Sequence, residues 1–323
     1  MIALLCEKLG PPATLRLVDL AETAPGPGQA LVEVAFAGLN FFDTLIIEGK
    51  YQVKPALPFS PAGEFSGIVL QVGAGVENVK PGDRVLGFLG FGAARQRLVA
   101  PAGALMRMPA GLGLEKAAGL TIAYGTVFHA LKQRATMAHG ETLVVLGAAG
   151  GVGLAAVEVG SAMGARVIAC ASSDEKCAFA KAAGAEETIN VATQDFRGEL
   201  RRIAPSGVDV VLDPVGGVLT EAALRSLAWK GRLLVIGFAS GAVPKIPLNL
   251  PLLKGCDIRG VYWGEFTTRE PDLNASNMRT LMQLAVRGHI ASGPPTVVPL
   301  ERFAEGFALL AGRQAIGKVL LRT

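Results

Sequence analysis

The chain has 323 residues, of which 50% are hydrophobic and 18% are charged, and this composition excludes an intrinsically disordered chain. Its formal net charge of +4 includes no run of Lys and Arg, so we expect no nucleic-acid partner. We expect no membrane span either, because the uncharged stretch 142–157 is shorter than the ~20 residues that a span needs. The four cysteines are scattered and the N-terminus lacks the basic region of a secretion signal, which predicts a cytoplasmic protein.

Residues 1–115 predict a β-rich unit. The segments 29–38 and 64–73 carry β-branched residues in alternation, and a turn with the sequence VKPGDRV follows at 79–85. Pro and Gly separate these short strands, which is the pattern of a compact, barrel-like fold.

From about Glu115 onward, strand and helix patterns alternate. The strands are apolar on both faces, as parallel strands covered by helices must be, and Ser172 and Glu175 have the spacing of a capping box that opens a helix. We therefore predict a doubly wound parallel sheet from roughly 119 to 262. The predicted strands are 143–146, 165–171, 187–190, 208–213, 232–236 and 257–262, with a last strand at 318–321, and the predicted helices are 151–163, 172–183, 220–229, 273–286 and 301–311.

A glycine-rich loop, LGAAGGVG at 146–153, joins the first of these strands to a helix. A dinucleotide-binding turn needs small residues where the strand turns, where the backbone meets the pyrophosphate and where helix packs on strand. Ala148, Gly150 and Gly153 take these positions, with Ala in place of the first Gly of the strict pattern. Backbone N–H groups at the helix start would then hold the phosphates. The residues assigned to this role are Ala149, Gly150, Gly151 and Val152.

The tip of the second strand bears on the choice of cofactor. An NAD-selective site places an acidic residue there to bind the ribose 2′-OH, but this chain has Ala171, followed by Ser172 and Ser173. Small hydroxyls and a cation, Lys176, suit a 2′-phosphate, so the sequence predicts NADPH as the cofactor. The alternative for Lys176 is an ordinary solvated helix lysine.

Several motifs in combination resemble the medium-chain dehydrogenase/reductase superfamily. They are GLNFFDTLIIEGKY (38–51), VKPGDRV (79–85), AYGTVFHAL (123–131), LGAAGGVG (146–153) and IGKVLL (316–321). Within the superfamily, the chain is most similar to the zinc-independent NADPH:quinone oxidoreductases of the zeta-crystallin-like group. The resemblance implies an α/β fold with a GroES-like β-barrel catalytic domain (1–118 and 263–323) and an inserted Rossmann domain with a doubly wound parallel sheet (119–262). It also implies a substrate cleft between the domains and a homodimer formed through the Rossmann sheets.

The resemblance also identifies where zinc enzymes of the superfamily hold their catalytic metal. A Cys, a His and a further Cys or acid are used there, whereas this chain has Asn40, Gly63 and a position near Ala118. The group of four closely spaced Cys that binds structural zinc is missing too, because no Cys lies between Cys6 and Cys170. We therefore expect no metal.

The catalytic residues implied by the resemblance are Asn40 and Tyr51. Asn40 and Asp43 match the Asn-x-x-Asp motif of the family, and Tyr51 matches the Gly-x-Tyr that follows. A quinone is already electrophilic, so hydride from the nicotinamide can reach it without a metal, and the protein mainly supplies orientation and a dry cleft. The alternative is structural, with Asn40 bonding the loop backbone and Asp43 capping the next segment.

Motif positions carry over further cofactor contacts. Thr126 is expected near the nicotinamide ribose or amide, Lys318 at the pyrophosphate and Arg313 at the 2′-phosphate. Trp263 could equally pack at a dimer interface. The residues expected near the nicotinamide are Gly237, Phe238, Ala239, Tyr262 and Trp263.

Two functions other than quinone reduction stay open from the sequence. One is reduction of the C=C bond of an enone or 2-enoyl thioester, because Tyr51 lies eleven residues after Asn40, where related enoyl reductases have their proton donor. The other is a non-enzymatic, cofactor-binding role of the kind that lens crystallins took on, which the intact motifs disfavour. The partners predicted from the sequence are a small-molecule substrate of the quinone or enone type and a second copy of the chain.

Overall fold

The computed structural model describes residues 1–291 and 293–323 and divides the chain into two compact units. Unit 1 consists of Met1–Ile122 and Pro294–Thr323, and unit 2 consists of Ala123–Gly293. Unit 2 is therefore an insertion in the sequence of unit 1.

Within the described residues, the strands are, in chain order, β1 (Ile2–Leu5), β2 (Arg16–Asp19), β3 (Gln29–Leu39), β4 (Glu64–Val72), β5 (Arg84–Phe88), β6 (Arg97–Pro101), β7 (Leu105–Arg107), β8 (Thr142–Leu146), β9 (Arg166–Ala171), β10 (Glu187–Asn190), β11 (Val208–Asp213), β12 (Leu227–Val235), β13 (Asp257–Gly260), β14 (Thr296–Pro299) and β15 (Val319–Arg322). The α-helices are α1 (Phe41–Ile47), α2 (Leu114–Ala117), α3 (Gly125–His129), α4 (Gly151–Ala162), α5 (Asp174–Ala182), α6 (Phe196–Ile203), α7 (Val218–Arg225), α8 (Asn249–Lys254), α9 (Trp263–Arg269), α10 (Pro271–Val286) and α11 (Phe303–Ala311). Shorter 3-10 turns lie at Pro12–Thr14, Ala102–Ala104 and Leu300–Arg302, and π-helical turns at Leu120–Tyr124 and Ala130–Arg134 flank α3. No helix in residues 1–291 and 293–323 has the length and apolar composition that a membrane crossing needs.

Unit 1 is built on a mixed sheet with the strand order β14-β15-β3-β4-β5-β7, and β6 also pairs with β3. The long strand β3 shows register shifts against β4 at Leu31/Val32 and at Val34/Phe36. Such irregularities bend a strand and increase its twist, which allows the sheet to curve over an apolar core. Phe65, Phe307 and Leu321 are fully buried in that core.

Unit 2 contains a parallel sheet of six strands in the order β10-β9-β8-β11-β12-β13. This order confirms the predicted doubly wound parallel sheet. The direction of winding reverses between β8 and β11, which are neighbours in space but not in sequence. Ligands of such sheets bind outside the carboxyl ends of the strands at this reversal, so the loops after β8, β9 and β11 are the expected ligand position.

Two local predictions for unit 2 are wrong. The helix predicted over 220–229 ends at Arg225, because pairing of Leu227 with Val208 extends β12 into a segment rich in helix formers. Helix α5 has Ser173, not Ser172, as its N-cap. The capping-box pattern favours Ser172, because Glu175 stands three residues later, but the hydrogen bond that forms is the simpler one from the N–H of Lys176 to Oγ of Ser173.

The division of the chain differs from the predicted boundaries at 118/119 and 262/263, most of all at the second. Residues 263–293 belong to unit 2, where α9 and α10 pack against α3. A Cβ on Gly125, the first residue of α3, would lie 2.8 Å from the indole ring of Trp263. Met278 and Leu281 of α10 are fully buried. An amphipathic helix pattern does not reveal which unit the helix covers, so this boundary needed the tertiary structure.

Candidate functional site

Asn40 lies where β3 ends and α1 begins. Its backbone N–H donates to Oδ2 of Asp43 (2.7 Å), and Oδ1 of Asp43 accepts from the backbone N–H of Ala62 (3.2 Å). The fully buried Asp43 carboxyl group therefore joins the start of α1 to the loop that precedes β4. This is the structural role that was the alternative for Asp43.

Both ends of the Asn40 side-chain amide are bonded. Its Nδ2 donates to Oε1 of Glu64 (3.0 Å), and its Oδ1 accepts from Nζ of Lys318 (2.7 Å). A carboxylate only accepts and an ammonium only donates, so this pair of partners selects one of the two orientations of the amide. We call Asn40, Asp43, Glu64, Thr121 and Lys318 the Asn40 cluster.

A buried ion pair forms the centre of the Asn40 cluster. Glu64 is fully buried and its Oε1 lies 2.5 Å from Nζ of Lys318, whose side chain is 12% exposed. Its Oε2 accepts from Oγ1 of Thr121 (2.6 Å) and from the N–H of Ile122 (2.9 Å). Lys318 also donates to the carbonyl oxygen of Leu39 (2.9 Å). Together with the Asn40 amide oxygen, this gives the ammonium group three acceptors within unit 1, as many as it has N–H groups.

The structure directs Lys318 into the Asn40 cluster, whereas the family resemblance assigns it to the pyrophosphate. A contact with phosphate would require the ammonium group to leave at least one of its acceptors, and that role stays a prediction. Sequence reasoning did not single out Glu64 or Thr121. The available signal for Glu64 was a carboxylate at the head of an apolar strand, since such a charge is buried only when it is paired.

Asp43 is expected to make stability depend on pH. Burial raises the pKa of Asp43 from 3.8 to about 7, with the charge of Glu64 adding to the shift and Lys318 and two N–H donors opposing it. The folded state then holds this proton more tightly than the unfolded state, so the stabilisation is complete at low pH and is lost as pH rises through about 7. We expect the free energy of unfolding to fall by about 1 kcal/mol between pH 6 and pH 8. The same slope in Asp43→Asn, measured by chemical denaturation, would contradict this assignment.

Gly63, which stands where the related zinc enzymes have a His ligand, has no space for a side chain. A Cβ there would lie 2.8 Å from the carbonyl oxygen of Gly90 and 2.9 Å from its carbonyl carbon, so a larger residue would displace the backbone. Within residues 1–291 and 293–323, no three His, Cys, Asp or Glu side chains are grouped so that they could hold a metal ion. That the protein works without metal stays a prediction.

Tyr51 packs against α1. Its ring stacks on that of Phe42, with centroids 5.3 Å apart and planes inclined by 22°, and it also contacts the core of unit 1. Phe42 directly precedes Asp43, so one short helix supports both Tyr51 and the base of the Asn40 cluster. The structure thus accounts for how Tyr51 is held, while its catalytic role stays a prediction.

In unit 2, the loop between β8 and α4 has the form of a phosphate-binding turn. Gly147 takes the left-handed conformation (φ 63°), one residue before the position predicted for the tight turn, so Ala148 causes no strain. A Cβ on Gly153 would overlap the carbonyl group of Gly147, so only Gly lets α4 pack this closely. The first N–H groups of a helix lack partners within it and attract anions. The residues predicted to hold the phosphates, Ala149, Gly150, Gly151 and Val152, lie in this loop and the first turn of α4.

A buried carboxylate that sequence reasoning missed organises the loop after β11. Oδ1 of Asp213 accepts from the N–H groups of Val215 and Gly216 (both 2.8 Å), and its Oδ2 accepts from Oγ1 of Thr220 (2.6 Å). Because β11 lies beside β8 at the reversal, Asp213 shapes the backbone where a ligand is expected. The signal in the sequence was an Asp ending a buried strand just before the pair Gly216–Gly217, both of which have positive φ.

The loop after β11 connects two segments predicted to bind the cofactor. The N–H of Ala239 donates to the carbonyl oxygen of Pro214 (3.1 Å). A Cβ on Gly147 would lie 2.8 Å from Cγ2 of Val215, so the same loop also touches the glycine loop. It therefore brings the predicted pyrophosphate loop together with the predicted nicotinamide residues Gly237, Phe238 and Ala239.

The tip of β9 carries no acidic side chain, because the strand ends at Ala171. Oγ of Ser173 accepts from the N–H of Lys176 (3.3 Å) and caps α5. The next carboxylate in the sequence, Asp174, accepts a hydrogen bond from Nδ2 of Asn190 (2.7 Å) at the end of β10. Of the predicted 2′-phosphate residues, Ser172 and Ser173 thus lie in the turn between β9 and α5, and Lys176 lies in the first turn of α5.

Thr126 lies on α3, next to the glycine that Trp263 covers. Trp263 is 5% exposed, and its Nε1–H donates to Oδ1 of Asn274 (3.2 Å). The indole therefore supports the helix that carries Thr126 from inside unit 2, a role outside both alternatives considered for it. Tyr262, the preceding residue, is 58% exposed.

Arg313 is an exposed residue of unit 1 in the turn after α11. Its φ of 54° is uncommon for a residue other than Gly. Asn40, Tyr51 and Lys318 belong to the same unit, and the other predicted site residues belong to unit 2.

Comparisons with known proteins agree with this architecture. The family model for the alcohol dehydrogenase GroES-like domain matches residues 26–110, and the model for the zinc-binding dehydrogenase family matches residues 151–285. Quinone oxidoreductase-like protein 2 of Mus musculus is 40% identical over 321 residues, which cover 99% of this chain and 91% of the mouse protein.

Among the solved structures that resemble the whole chain are two quinone oxidoreductases. A quinone oxidoreductase of Pseudomonas syringae pv. tomato DC3000 has a TM-score of 0.92 at 30% identity, and the match covers 100% of this chain and 99% of the P. syringae chain. The Escherichia coli quinone oxidoreductase complexed with NADPH has a TM-score of 0.91 at 29% identity, with 100% of both chains covered. These matches confirm the family resemblance and the GroES-like and Rossmann-type folds. The chain therefore belongs to the medium-chain dehydrogenase/reductase superfamily, in its group of zinc-independent quinone oxidoreductases, and is an oxidoreductase enzyme.

Proposed function

We propose that the protein is an NADPH-dependent reductase that transfers hydride to quinones or similar electrophilic carbonyl acceptors without a metal ion. The acceptor class is supported by the mouse, P. syringae and E. coli relatives, all of which carry quinone oxidoreductase in their names. The observation that carries the cofactor choice is the tip of β9, where Ala171 stands in place of an acidic residue.

The residues of unit 2 suit a dinucleotide. The glycine loop brings the N-terminus of α4 to the carboxyl end of β8, where its N–H groups and the helix dipole favour phosphate. The atom nearest to a Cβ on Gly150 would be the carbonyl oxygen of Gly147, at 3.5 Å. This side of the loop is therefore open to an approaching ligand. The loops after β11 and β12 would hold the nicotinamide half.

NADPH, when bound, supplies the hydride, and one proton completes the reduction of a quinone to a hydroquinone with release of NADP⁺. The chain contributes orientation: Glu64 and Lys318 hold the Asn40 amide in one position, and Phe42 holds the Tyr51 ring. A quinone oxyanion takes its proton from water, so the residues need only position the acceptor and exclude competing orientations.

Cofactor preference tests this proposal directly. With a quinone acceptor, we expect kcat/KM for NADPH to exceed that for NADH by about tenfold or more, since one cation–phosphate contact contributes roughly 1.5–3 kcal/mol. Ala171→Asp should shift the preference toward NADH by repelling the 2′-phosphate, and the uncharged Ala171→Asn is its matched control. Equal or better turnover with NADH in the parent would overturn the assignment.

The same assay with a chelator should show an unchanged rate, and chelator-sensitive activity would contradict the metal-free mechanism.

The second candidate, reduction of an enone or 2-enoyl thioester, is kept because the chain has Tyr51. An enoyl thioester must be protonated at its α-carbon, so a positioned phenol that acts as a general acid would raise the rate about 10²–10⁴-fold. If that is the reaction, Tyr51→Phe should lower the enoyl rate about a hundredfold or more, whereas a quinone rate should fall about tenfold or less. Efficient enoyl-CoA reduction by the parent, lost selectively in Tyr51→Phe, would replace quinone reduction as the proposed function.

We also propose a homodimer joined through unit 2. Among the described residues β13 pairs only with β12, so it presents an edge to which a second strand can add. Nearby apolar side chains are open to solvent: Leu248, Leu252 and Leu253 are 81%, 78% and 76% exposed, and Trp229 on β12 is 72% exposed. Exposed apolar surface of this kind marks protein interfaces. A monomeric mass in sedimentation would contradict this proposal.

A further inference from the structure

Asn190 lies beside the position that decides cofactor choice in dinucleotide-binding sheets. The parallel pairing of β10 with β9 makes Asn190 the partner of Ala171, the residue that stands where an NAD-selective site carries its acid. The N–H of Val191 donates to the carbonyl oxygen of Ala171 (2.9 Å) and fixes this register at the strand tips. The Asn190 side chain therefore starts at the edge of the sheet where the adenosine ribose is expected.

Both polar atoms of the Asn190 side chain are bonded, and so is its backbone N–H. Its backbone N–H donates to Oε1 of Gln194 (2.7 Å), and its Oδ1 accepts from the N–H of Ala192 (3.1 Å). Its Nδ2 donates to Oδ1 of Asp174 (2.7 Å). Only 7% of Asn190 is exposed. Because its own loop occupies the amide oxygen, the amide nitrogen is committed to Asp174.

Asp174 is the carboxylate that follows β9 most closely in the sequence, and it is exposed at the first position of α5. An exposed Asp at this point has the reach to turn toward a ribose, where it would accept from a 2′-OH and repel a 2′-phosphate. The bond from Asn190 engages a carboxylate oxygen, and hydrogen bonds to ionised groups are the stronger ones.

We propose that Asn190 is a specificity-determining residue whose amide holds the Asp174 carboxylate away from the ribose 2′ position and so keeps the site selective for a 2′-phosphate. The inference rests on the proposed NADPH dependence. In this chain the selectivity comes from two features: the strand tip has no acid at Ala171, and the acid three residues later is turned toward the neighbouring strand.

A double-mutant cycle on Asn190→Ser and Asp174→Asn tests the proposal, with dissociation constants of NADP⁺ and NAD⁺ measured by titration calorimetry. Ser keeps an oxygen that can accept from the N–H of Ala192, but it is too short to reach Asp174. We expect Asn190→Ser to lower the preference for NADP⁺ about fivefold or more, because a released carboxylate repels the 2′-phosphate. In the Asp174→Asn background the same substitution should leave the preference unchanged. Glu175→Gln, which neutralises the next carboxylate of the helix, is the matched background in which the effect of Asn190→Ser should persist.

An unchanged preference in Asn190→Ser, or the same change with and without the Asp174 carboxylate, would overturn the proposal. If Asn190→Ser does not fold, the NADP⁺ affinity of the Asp174→Asn variant alone tests whether the carboxylate is turned away from the ribose 2′ position. We expect it to raise NADP⁺ affinity about threefold or less, because the carboxylate is already turned away, whereas a gain of about tenfold or more would mean that it faces the 2′-phosphate in the parent. The parent's own ratio of NADP⁺ to NAD⁺ affinity tests the proposed function separately, because the cycle measures only the coupling between the two side chains.

Discussion

Replacing Lys318 with Met should lower the free energy of unfolding by about 3–5 kcal/mol, because the fully buried Glu64 carboxylate would lose its counter-ion. The Asn40 amide would lose the donor to its oxygen at the same time. Catalytic efficiency should therefore fall together with stability. Chemical denaturation measures the first effect, and steady-state kinetics with a quinone acceptor measure the second.

Two controls separate the buried ion pair from a general effect of losing a charge. The double variant Glu64→Gln/Lys318→Met removes both charges of the buried pair, so neither is left without its partner, and it should recover most of the lost stability. Arg269→Met breaks the ion pair between Arg269 and Glu265, whose side chains are 74% and 47% exposed. It should lower the free energy of unfolding by less than about 0.5 kcal/mol. If Lys318→Met lowers the free energy of unfolding no more than Arg269→Met does, the ion pair with Glu64 does not stabilise the Asn40 cluster.

Replacing Gly153 with Ala should weaken both folding and cofactor binding. The added Cβ would overlap the carbonyl group of Gly147, so α4 must move away from the loop. We expect a loss of about 1–3 kcal/mol in the free energy of unfolding, as for other overpacked positions. NADPH binding should weaken about tenfold or more, because the N–H groups of the first turn would no longer face the phosphates.

Gly150→Ala is the matched control in the same loop. The nearest atom to its added Cβ would be 3.5 Å away, an ordinary contact, and φ of −78° suits Ala. Its stability should stay within about 0.5 kcal/mol of the parent. Its NADPH affinity should still fall, because a methyl group would stand where the backbone approaches the pyrophosphate. Equal loss of stability in both variants would contradict the packing assigned to Gly153, and unchanged binding in Gly150→Ala would contradict the phosphate assignment.

The sheet of unit 2 could be predicted because its signals are local. The predicted strands 187–190 and 208–213 coincide with β10 and β11. β11 is a short, largely apolar run between Gly207 and Pro214, and the glycine loop lies within a few residues of its strand and helix. Such patterns depend on neighbouring residues only, so one sequence is enough to recognise them.

The Asn40 cluster could not be predicted, because its residues are distant in sequence. Glu64 and Lys318 are separated by 254 positions, and no periodicity relates them. The bond between Asn190 and Asp174 likewise depends on the register of β10 against β9. Motif matches supplied candidates such as Tyr51 and Arg313, but their catalytic and binding roles depend on a bound substrate and stay predictions.

The position of β15 in the chain has a consequence for how the enzyme matures. Val319 of β15 pairs with Leu39 of β3, and Lys318 directly precedes this strand. During synthesis all of unit 2 is made before Lys318 leaves the ribosome, so the bond to Asn40, 278 residues earlier, is among the last to form. Nascent chains, and chains clipped before β15, would carry a complete glycine loop with an Asn40 side chain that is not yet oriented. If Asn40 positions the acceptor as proposed, such chains would hold a dinucleotide without reducing an acceptor, and turnover would begin only once β15 has paired with β3.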